Sequence, residues 1–235
     1  MRILAIETSG RYGSIALCEA TSDAFIAVVE SKLTAAQGRT AQTLAPALAE
    51  ALSGIGWPTR TIGLVTVAIG PGSFTGLRIG VTTAKTFAYA AGAEIVGVNT
   101  LAVLAEQAPA SAAPLWTILD AQRQELFAAR FVPANLEDAP MTMLGDTAIV
   151  AQDEWLARLK AGERVIGPPL KKLTSRLPAH VIITPPSSCE PTATAVGRLG
   201  WRAYQNGRRD DLWKLVPLYY RPSAAEEKAA QRRTI

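Results

Sequence analysis

The order of strand-like and helix-like segments repeats once along this chain, and that repeat constrains the fold more than any single motif. In the first half, Arg2–Ile6 reads as a buried strand, followed by the polar turn Glu7–Gly13 and two more strands at Ser14–Glu19 and Ala24–Val29. Leu44, Leu48 and Leu52 then recur every fourth residue from about Thr40, an amphipathic helix stripe. The β-branched run Ile62–Ile69 is a core strand broken by Gly70-Pro71-Gly72, and Ser73 is placed to cap a helix that runs to Ala91 and stops at Gly92. A strand at Ile95–Val98 and a helix capped by Asn99 and running to about Gln107 complete the round.

The second half predicts strands at Leu115–Leu119 and Glu125–Val132, with a weak third at Met141–Leu144. A helix at Asp153–Lys160, a strand at Arg164–Ile166 and a short helix at Pro169–Leu177 follow. Val181–Ile183 is a further strand, and Thr192 caps a helix to about Gln205. Two rounds of βββαβαβα mean two similar α/β lobes, each a mixed sheet with helices on its faces. The Ala/Pro-rich stretch Ala108–Pro114 marks the join, so the expected division is 1–108, 109–210 and a C-terminal segment 211–235. Within that segment, Val216–Pro222 is too apolar to be loose and is expected to pack on a lobe, leaving a frayed basic tail beyond it.

Composition narrows the function. Of 235 residues, 49% are hydrophobic and 19% charged, enough apolar surface to offset chain entropy, which excludes a disordered chain. The longest charge-free run, Thr61–Leu77, is interrupted by Gly63, Gly70, Pro71, Gly72 and Gly76 and reads as strand and turn, not as a membrane span. The apolar run at the N-terminus is too short for a signal-peptide core, which predicts a cytoplasmic protein. Cys18 and Cys189 match no metal or redox spacing and read as buried free thiols. A zinc site or a Ser-His-Asp hydrolase would rest on His180 alone, and no nucleophile-elbow motif accompanies it. Nine basic and four acidic residues lie between Arg198 and Arg233, a section able to meet phosphates or to form a solvated helix face with a frayed tail.

Three constellations carry candidate chemistry. Glu7-Thr8-Ser9-Gly10 ends the first strand; an acid followed by hydroxyls can hold a hydrated metal and offer donors to phosphate, or form a capped turn. The repeat adds Asp120 as a second strand-end acid facing the same expected cleft, within the polar stretch Asp120–Glu125 that otherwise reads as a hairpin. The third is Gly70-Pro71-Gly72-Ser73-Phe74-Thr75-Gly76-Leu77-Arg78-Ile79-Gly80, glycines before a helix N-terminus but no Walker loop. Gly76, Gly80, Ala84 and Ala88 then form one small-residue stripe, flanked by Leu77, Val81 and Phe87. Each helical glycine costs about 1 kcal/mol relative to alanine, so the stripe calls for a close contact. Packing on the chain's own sheet and a helix–helix interface with another chain fit that spacing equally.

With these residues in view, the sequence resembles the TsaB (YeaZ) family. The resemblance rests on Ile3–Ser9, the Gly70–Gly80 segment, Val96–Leu101, Leu119-Asp120-Ala121 and Pro217-Leu218-Tyr219-Tyr220-Arg221. It implies a two-lobed actin-like, Hsp70-like (ASKHA) fold with RNase H-like lobes. The implied function is a non-catalytic scaffold that supports a TsaD-like transferase forming threonylcarbamoyladenosine in tRNA, with a TsaE-like ATPase as a further partner and ATP and Mg used by the complex. TsaD relatives carry a pair of metal-binding histidines on a helix; the corresponding stretch here, Thr40–Pro46, has none, although many TsaB relatives keep one. The resemblance further implies pairing, as a homodimer or with TsaD, through first-lobe helices. On that basis Leu44, Leu48, Leu52, Gly76, Leu77, Gly80, Val81, Ala84, Phe87 and Ala88 are the expected partner interface. The rival from another class is an independent ATP-using enzyme with Glu7, Thr8, Ser9 and Asp120 at nucleotide and magnesium. A third expectation is tRNA contact through the basic C-terminal section, Arg208 and Arg209 in particular.

Overall fold

The computed structural model describes residues 1–33, 40–133, 141–185 and 188–221. Its first sheet takes β1 (Arg2–Glu7), β2 (Gly13–Ala20), β3 (Phe25–Leu33), β4 (Ile62–Gly70) and β5 (Glu94–Asn99) in the order β3-β2-β1-β4-β5. β1–β2 and β2–β3 are antiparallel, whereas β1–β4 and β4–β5 are parallel. The second sheet takes β6 (Leu115–Asp120), β7 (Glu125–Val132), β8 (Thr142–Ala151), β9 (Arg164–Ile166) and β10 (Ile182–Ile183) in the order β10-β9-β6-β7-β8. Its pairings repeat the first: two antiparallel, two parallel. The chain is thus a two-lobed α/β protein of the actin-like ASKHA type, the same sheet built twice.

The helices are α1 (Thr40–Gly54), α2 (Phe74–Ala91), α3 (Thr100–Glu106), α4 (Gln152–Arg158), α5 (Leu170–Leu173) and α6 (Ala193–Gln205). Their ends follow local chemistry. Ser73 caps α2 by accepting from Gly76 N, and Gly92 closes it in a left-handed conformation at φ 70°. Asn99 and Thr192 cap α3 and α6 in the same way.

Alternation along β1 sends Leu4 and Ile6 to one face and Ile3 and Ala5 to the other, and both faces are covered. Leu44, Leu48 and Leu52 of α1 and Val81, Ala84 and Ala88 of α2 fill the first face. On the opposite face lie Ala193, Ala195 and Val196 of α6 and Val103 of α3. Leu101 and Leu104 of α3 turn the other way, into the second-lobe core beside Trp155, Ile118 and Phe131. The packing therefore crosses the sequence division at 108/109: α6 covers the first sheet and α3 wedges between the two.

Two elements differ from the sequence expectation. The third strand of the second round is no short stretch at Met141–Leu144 but the ten residues of β8, whose largely exposed outer face leaves little hydrophobic signal. The expected helix Pro169–Leu177 is α5 followed by a 3-10 turn at Thr174–Arg176. The expected basic tail beyond Arg221 lies outside the described residues. Among the described residues no helix is long and apolar enough to cross a membrane.

Candidate functional site

The turn after β1 meets the N-terminus of α2 at the edge of the first lobe. Glu7 is fully buried; Ser9 donates to its Oε1 from the backbone N at 2.6 Å and from Oγ. Burial pushes the Glu7 carboxyl up to about 7, against the lowering effect of the Ser9 hydrogen bonds and with a smaller upward contribution from the charge of Glu190. Glu7 Oε2 and Thr8 Oγ1 are buried without a hydrogen-bond partner among the described residues.

Three backbone donors at this helix N-terminus are used by the chain itself. Ser73 N donates to Ser9 O at 2.7 Å, Gly76 N to Ser73 Oγ at 3.2 Å, and Leu77 N to Ser73 O at 2.8 Å. A methyl group built on Gly72 would stand 2.6 Å from Ser9 O. The Ser73, Gly76 and Leu77 amides at this helix start are thus taken by the chain itself. Asp120, the second strand-end acid, closes β6. It is exposed, accepts from Gln122 N at 2.7 Å, and anchors its own hairpin. That hairpin holds three consecutive non-glycine residues in the left-handed region, Gln122, Arg123 and Gln124, at φ 64°, 54° and 59°. Among the described residues no three His, Cys, Asp or Glu side chains group to hold a metal.

The small-residue stripe also proves to be internal. A methyl group on Gly76 would fall on the Thr8 carbonyl oxygen, and one on Gly80 on Thr8 Oγ1. The glycines let the β1 turn lie directly on α2, which is the close contact that their helical cost calls for. Leu44 is 1% exposed, and Leu48, Leu52, Leu77, Val81, Ala84 and Ala88 are likewise buried, with Phe87 partly so. Apart from Phe87, the residues expected at the partner interface are buried in the core of this lobe. The same helices expose Ala41, Gln42, Ala45, Pro46, Ala49 and Glu50 on α1 and Thr75, Arg78, Thr82, Thr86, Tyr89 and Ala90 on α2. Across both helices the only charged residues are Glu50, Arg78 and Lys85. Lys85 is committed to the carbonyls of Trp213 and Leu215, and Arg78 lies over the Phe74 ring.

The C-terminal cations are similarly engaged. Arg198 and Arg202 pair with Glu106, Arg208 with Asp210, and Lys214 with Asp211. Arg209 stacks on Tyr204, and Arg221 pairs with Glu125. His180 is exposed with its ring Nε2 3.4 Å from Leu159 O. Cys18 is buried, which pushes its thiol up to about 12 and leaves it a poor nucleophile.

Sequence reasoning missed what the segment after α6 does. It was expected to pack on one lobe, yet it touches both: Leu218 N donates to Ile69 O at 2.7 Å, and Arg221 donates to Ala121 O at 2.9 Å. The sequence signals were the apolar run Val216–Pro222 and the stretch Pro217–Arg221 that carries part of the resemblance.

Comparison with known proteins agrees with this architecture. The model of the TsaD family, described as tRNA N6-adenosine threonylcarbamoyltransferase, matches residues 34–165. The Bacillus subtilis tRNA threonylcarbamoyladenosine biosynthesis protein TsaB is 30% identical over 168 residues, covering 71% of this chain and 69% of that protein. Its Escherichia coli counterpart is 31% identical over 134 residues, 56% of this chain and 55% of that one. In solved structures, YeaZ from Pseudomonas aeruginosa shares the fold, with a TM-score of 0.74 at 22% identity over 93% of this chain and 99% of that one. With its doubled sheet, its β1 turn seated on α2 and these relatives, the chain belongs to the TsaB family, among the sequences that the TsaD model recognises.

Proposed function

We propose that this chain is a scaffold subunit, without catalysis of its own, in the formation of threonylcarbamoyladenosine in tRNA. Its partner is a TsaD-type transferase, and the docking surface is the outer face of α1 and α2. The observation that carries this reading is the near absence of charge on a surface that is exposed. A solvated helix face is normally rich in charged residues, whereas Ala41, Ala45, Ala49, Thr75, Thr82 and Thr86 offer small, easily desolvated groups. Alone, the chain pairs with a second copy through the same face, and the transferase competes for it.

The mechanism is positional. Binding orders the transferase and favours its competent state to the extent of the differential affinity for that state. The chain needs no cofactor of its own; ATP and Mg serve the complex, which a TsaE-like ATPase joins. It reaches tRNA indirectly, in keeping with the acidic, carbonyl or aromatic partners of every described cation from Arg198 to Arg221. The setting is the cytoplasm, where tRNA is modified.

The test is light-scattering mass after gel filtration, for the chain alone and mixed with the TsaD-type subunit of its own organism. A one-to-one complex that Ala45→Arg and Thr82→Arg each abolish, with unchanged circular dichroism, supports the reading. A complex that tolerates both substitutions would place the interface elsewhere. A chain that ignores the transferase would overturn the scaffold role.

A further inference from the structure

Two stretches of sequence, Leu119–Ala121 and Pro217–Arg221, stand about a hundred residues apart, and the fold joins them. We infer that the segment Asp210–Arg221 is a brace that couples the N-terminus of α2 to the β6–β7 hairpin, so that loosening one end loosens the other. This goes beyond the scaffold reading and does not depend on any partner.

The first-lobe end is tied at four places. Asp210 N donates to Ile95 O at 3.0 Å, and its carboxylate accepts from Gly97 N at 2.7 Å. Lys85 Nζ holds the carbonyls of Trp213 and Leu215, both at 3.1 Å, and the Leu215 side chain is buried in the first core. Leu218 N binds Ile69 O, and Tyr219 lies on Phe74 with ring centroids 4.8 Å apart, at the first residue of α2. The second-lobe end begins at the next residue. Tyr220 packs on Phe127 at 5.9 Å between centroids, and Arg221 holds both Ala121 O and the Glu125 carboxylate.

Length makes this a brace and not a tether. From Leu218 to Arg221 the chain advances three residues, which span about 10 Å at full extension, so there is little slack to absorb a movement of the lobes. The hairpin it grips needs such support. Gln122, Arg123 and Gln124 are all left-handed, a conformation disfavoured for residues with a Cβ. Their backbone is tied by Ala121 N to Glu125 O at 3.0 Å and by Gln152 N to Gln124 O at 2.9 Å, with Arg221 closing the outer side. Two-lobed folds commonly hinge about the cleft. Here the hinge is bridged, and order at the hairpin is transmitted to the start of the helix whose outer face is exposed.

The experiment is amide hydrogen exchange by mass spectrometry on the full chain, wild type against Arg221→Ala and Glu125→Gln. Arg221→Ala is expected to speed exchange in 120–126 and also in 70–78 by roughly tenfold or more, the loss expected for charge-assisted bonds to partly buried groups. Glu125→Gln keeps the bond from Arg221 to Ala121 and is expected to show the same two segments at about threefold. In both variants β1 should keep its wild-type protection. Faster exchange in 120–126 with 70–78 unchanged would overturn the brace, as would no change in 120–126. Uniform acceleration that includes β1 would also overturn it, by assigning Arg221 to global stability; if Arg221→Ala does not fold, the milder Glu125→Gln carries the same comparison.

Discussion

Replacing Gly80 by alanine tests whether α2 is shaped by its own lobe. In an open helix the change is favourable by about 1 kcal/mol. Here the new methyl group falls on Thr8 Oγ1, and Thr8 is buried, so the hydroxyl has no open space to turn into. Overpacking of this kind costs about 1–3 kcal/mol, which leaves Gly80→Ala destabilising by roughly 1 kcal/mol. Thr8→Ala removes that hydroxyl, which has no partner to lose, so the truncation itself is close to neutral. In the Thr8→Ala background the nearest remaining atom to the methyl is the residue 8 Cβ at 3.3 Å, a tight contact that offsets much of the helical preference for alanine. The same substitution is therefore about 1 kcal/mol destabilising with Thr8 present and close to neutral without it, a coupling on the order of 1 kcal/mol. Urea unfolding of the four proteins, followed by circular dichroism, measures it; each kcal/mol also moves Tm by about 2–4 °C in a chain of this size. A stabilised Gly80→Ala single variant, or equal effects in both backgrounds, would refute the internal reading of the stripe.

Other consequences follow from buried groups. Glu7 ionises near 4.5 when unfolded and about 7 when folded, so the native state holds the extra proton between those values. Its contribution to stability is therefore lost as pH rises from about 4.5 to about 7, and Glu7→Gln should remove that dependence. The variant is expected to gain on the order of 2–3 kcal/mol over wild type at pH 8 and little at pH 4, read as the difference between two urea titrations. Gly167 sits at φ 143°, where a methyl group would fall on the Ile118 carbonyl oxygen, whereas Gly162 at φ 78° faces open space. Gly167→Ala should leave the chain insoluble or unfolded, and Gly162→Ala should cost only about 1 kcal/mol in a thermal melt. Trp155 is fully buried in the second core, and Trp155→Ala should lose about 3–5 kcal/mol by urea unfolding.

What was legible in the sequence is what is decided within a few residues. Ser73, Asn99, Thr192 and Gly92 end their helices as the sequence predicts, because a cap is a hydrogen bond or a backbone angle at that position. β1, β2 and β4 of the first sheet were readable because both faces are buried and their apolar runs are nearly unbroken. β8 was weak because it lies at the edge of its sheet and much of it faces solvent. The exchange of α3 and α6 was not legible at all. Periodicity says that one face of a helix is buried, not which sheet buries it, and Val103 and Leu104 point to different lobes from adjacent positions.

The site shows the same boundary between local and distant information. Gly76 and Gly80 announce that something approaches α2 closely, and the sequence holds no means of naming it. The spacing is identical for a partner helix and for the chain's own β1 turn; the fold resolves it in favour of Thr8 because β1 and β4 are paired in parallel and α2 leaves β4 through the Gly70–Ser73 turn, whose Ser73 binds Ser9. The docking face proposed above lies on the opposite, exposed side of the same helices. There the usable signal is one of charge: α1 carries Glu50 alone, and Arg78 and Lys85 of α2 already serve Phe74 and the C-terminal segment. Stability explains every buried member of the stripe, but it does not require Ala41, Ala45, Ala49, Thr75, Thr82 and Thr86 to be uncharged, since lysine or glutamate at an exposed helical position is at least as well tolerated. The scarcity of charge where the fold permits it is the part of this sequence that folding leaves unexplained, and it is what the proposed docking face requires.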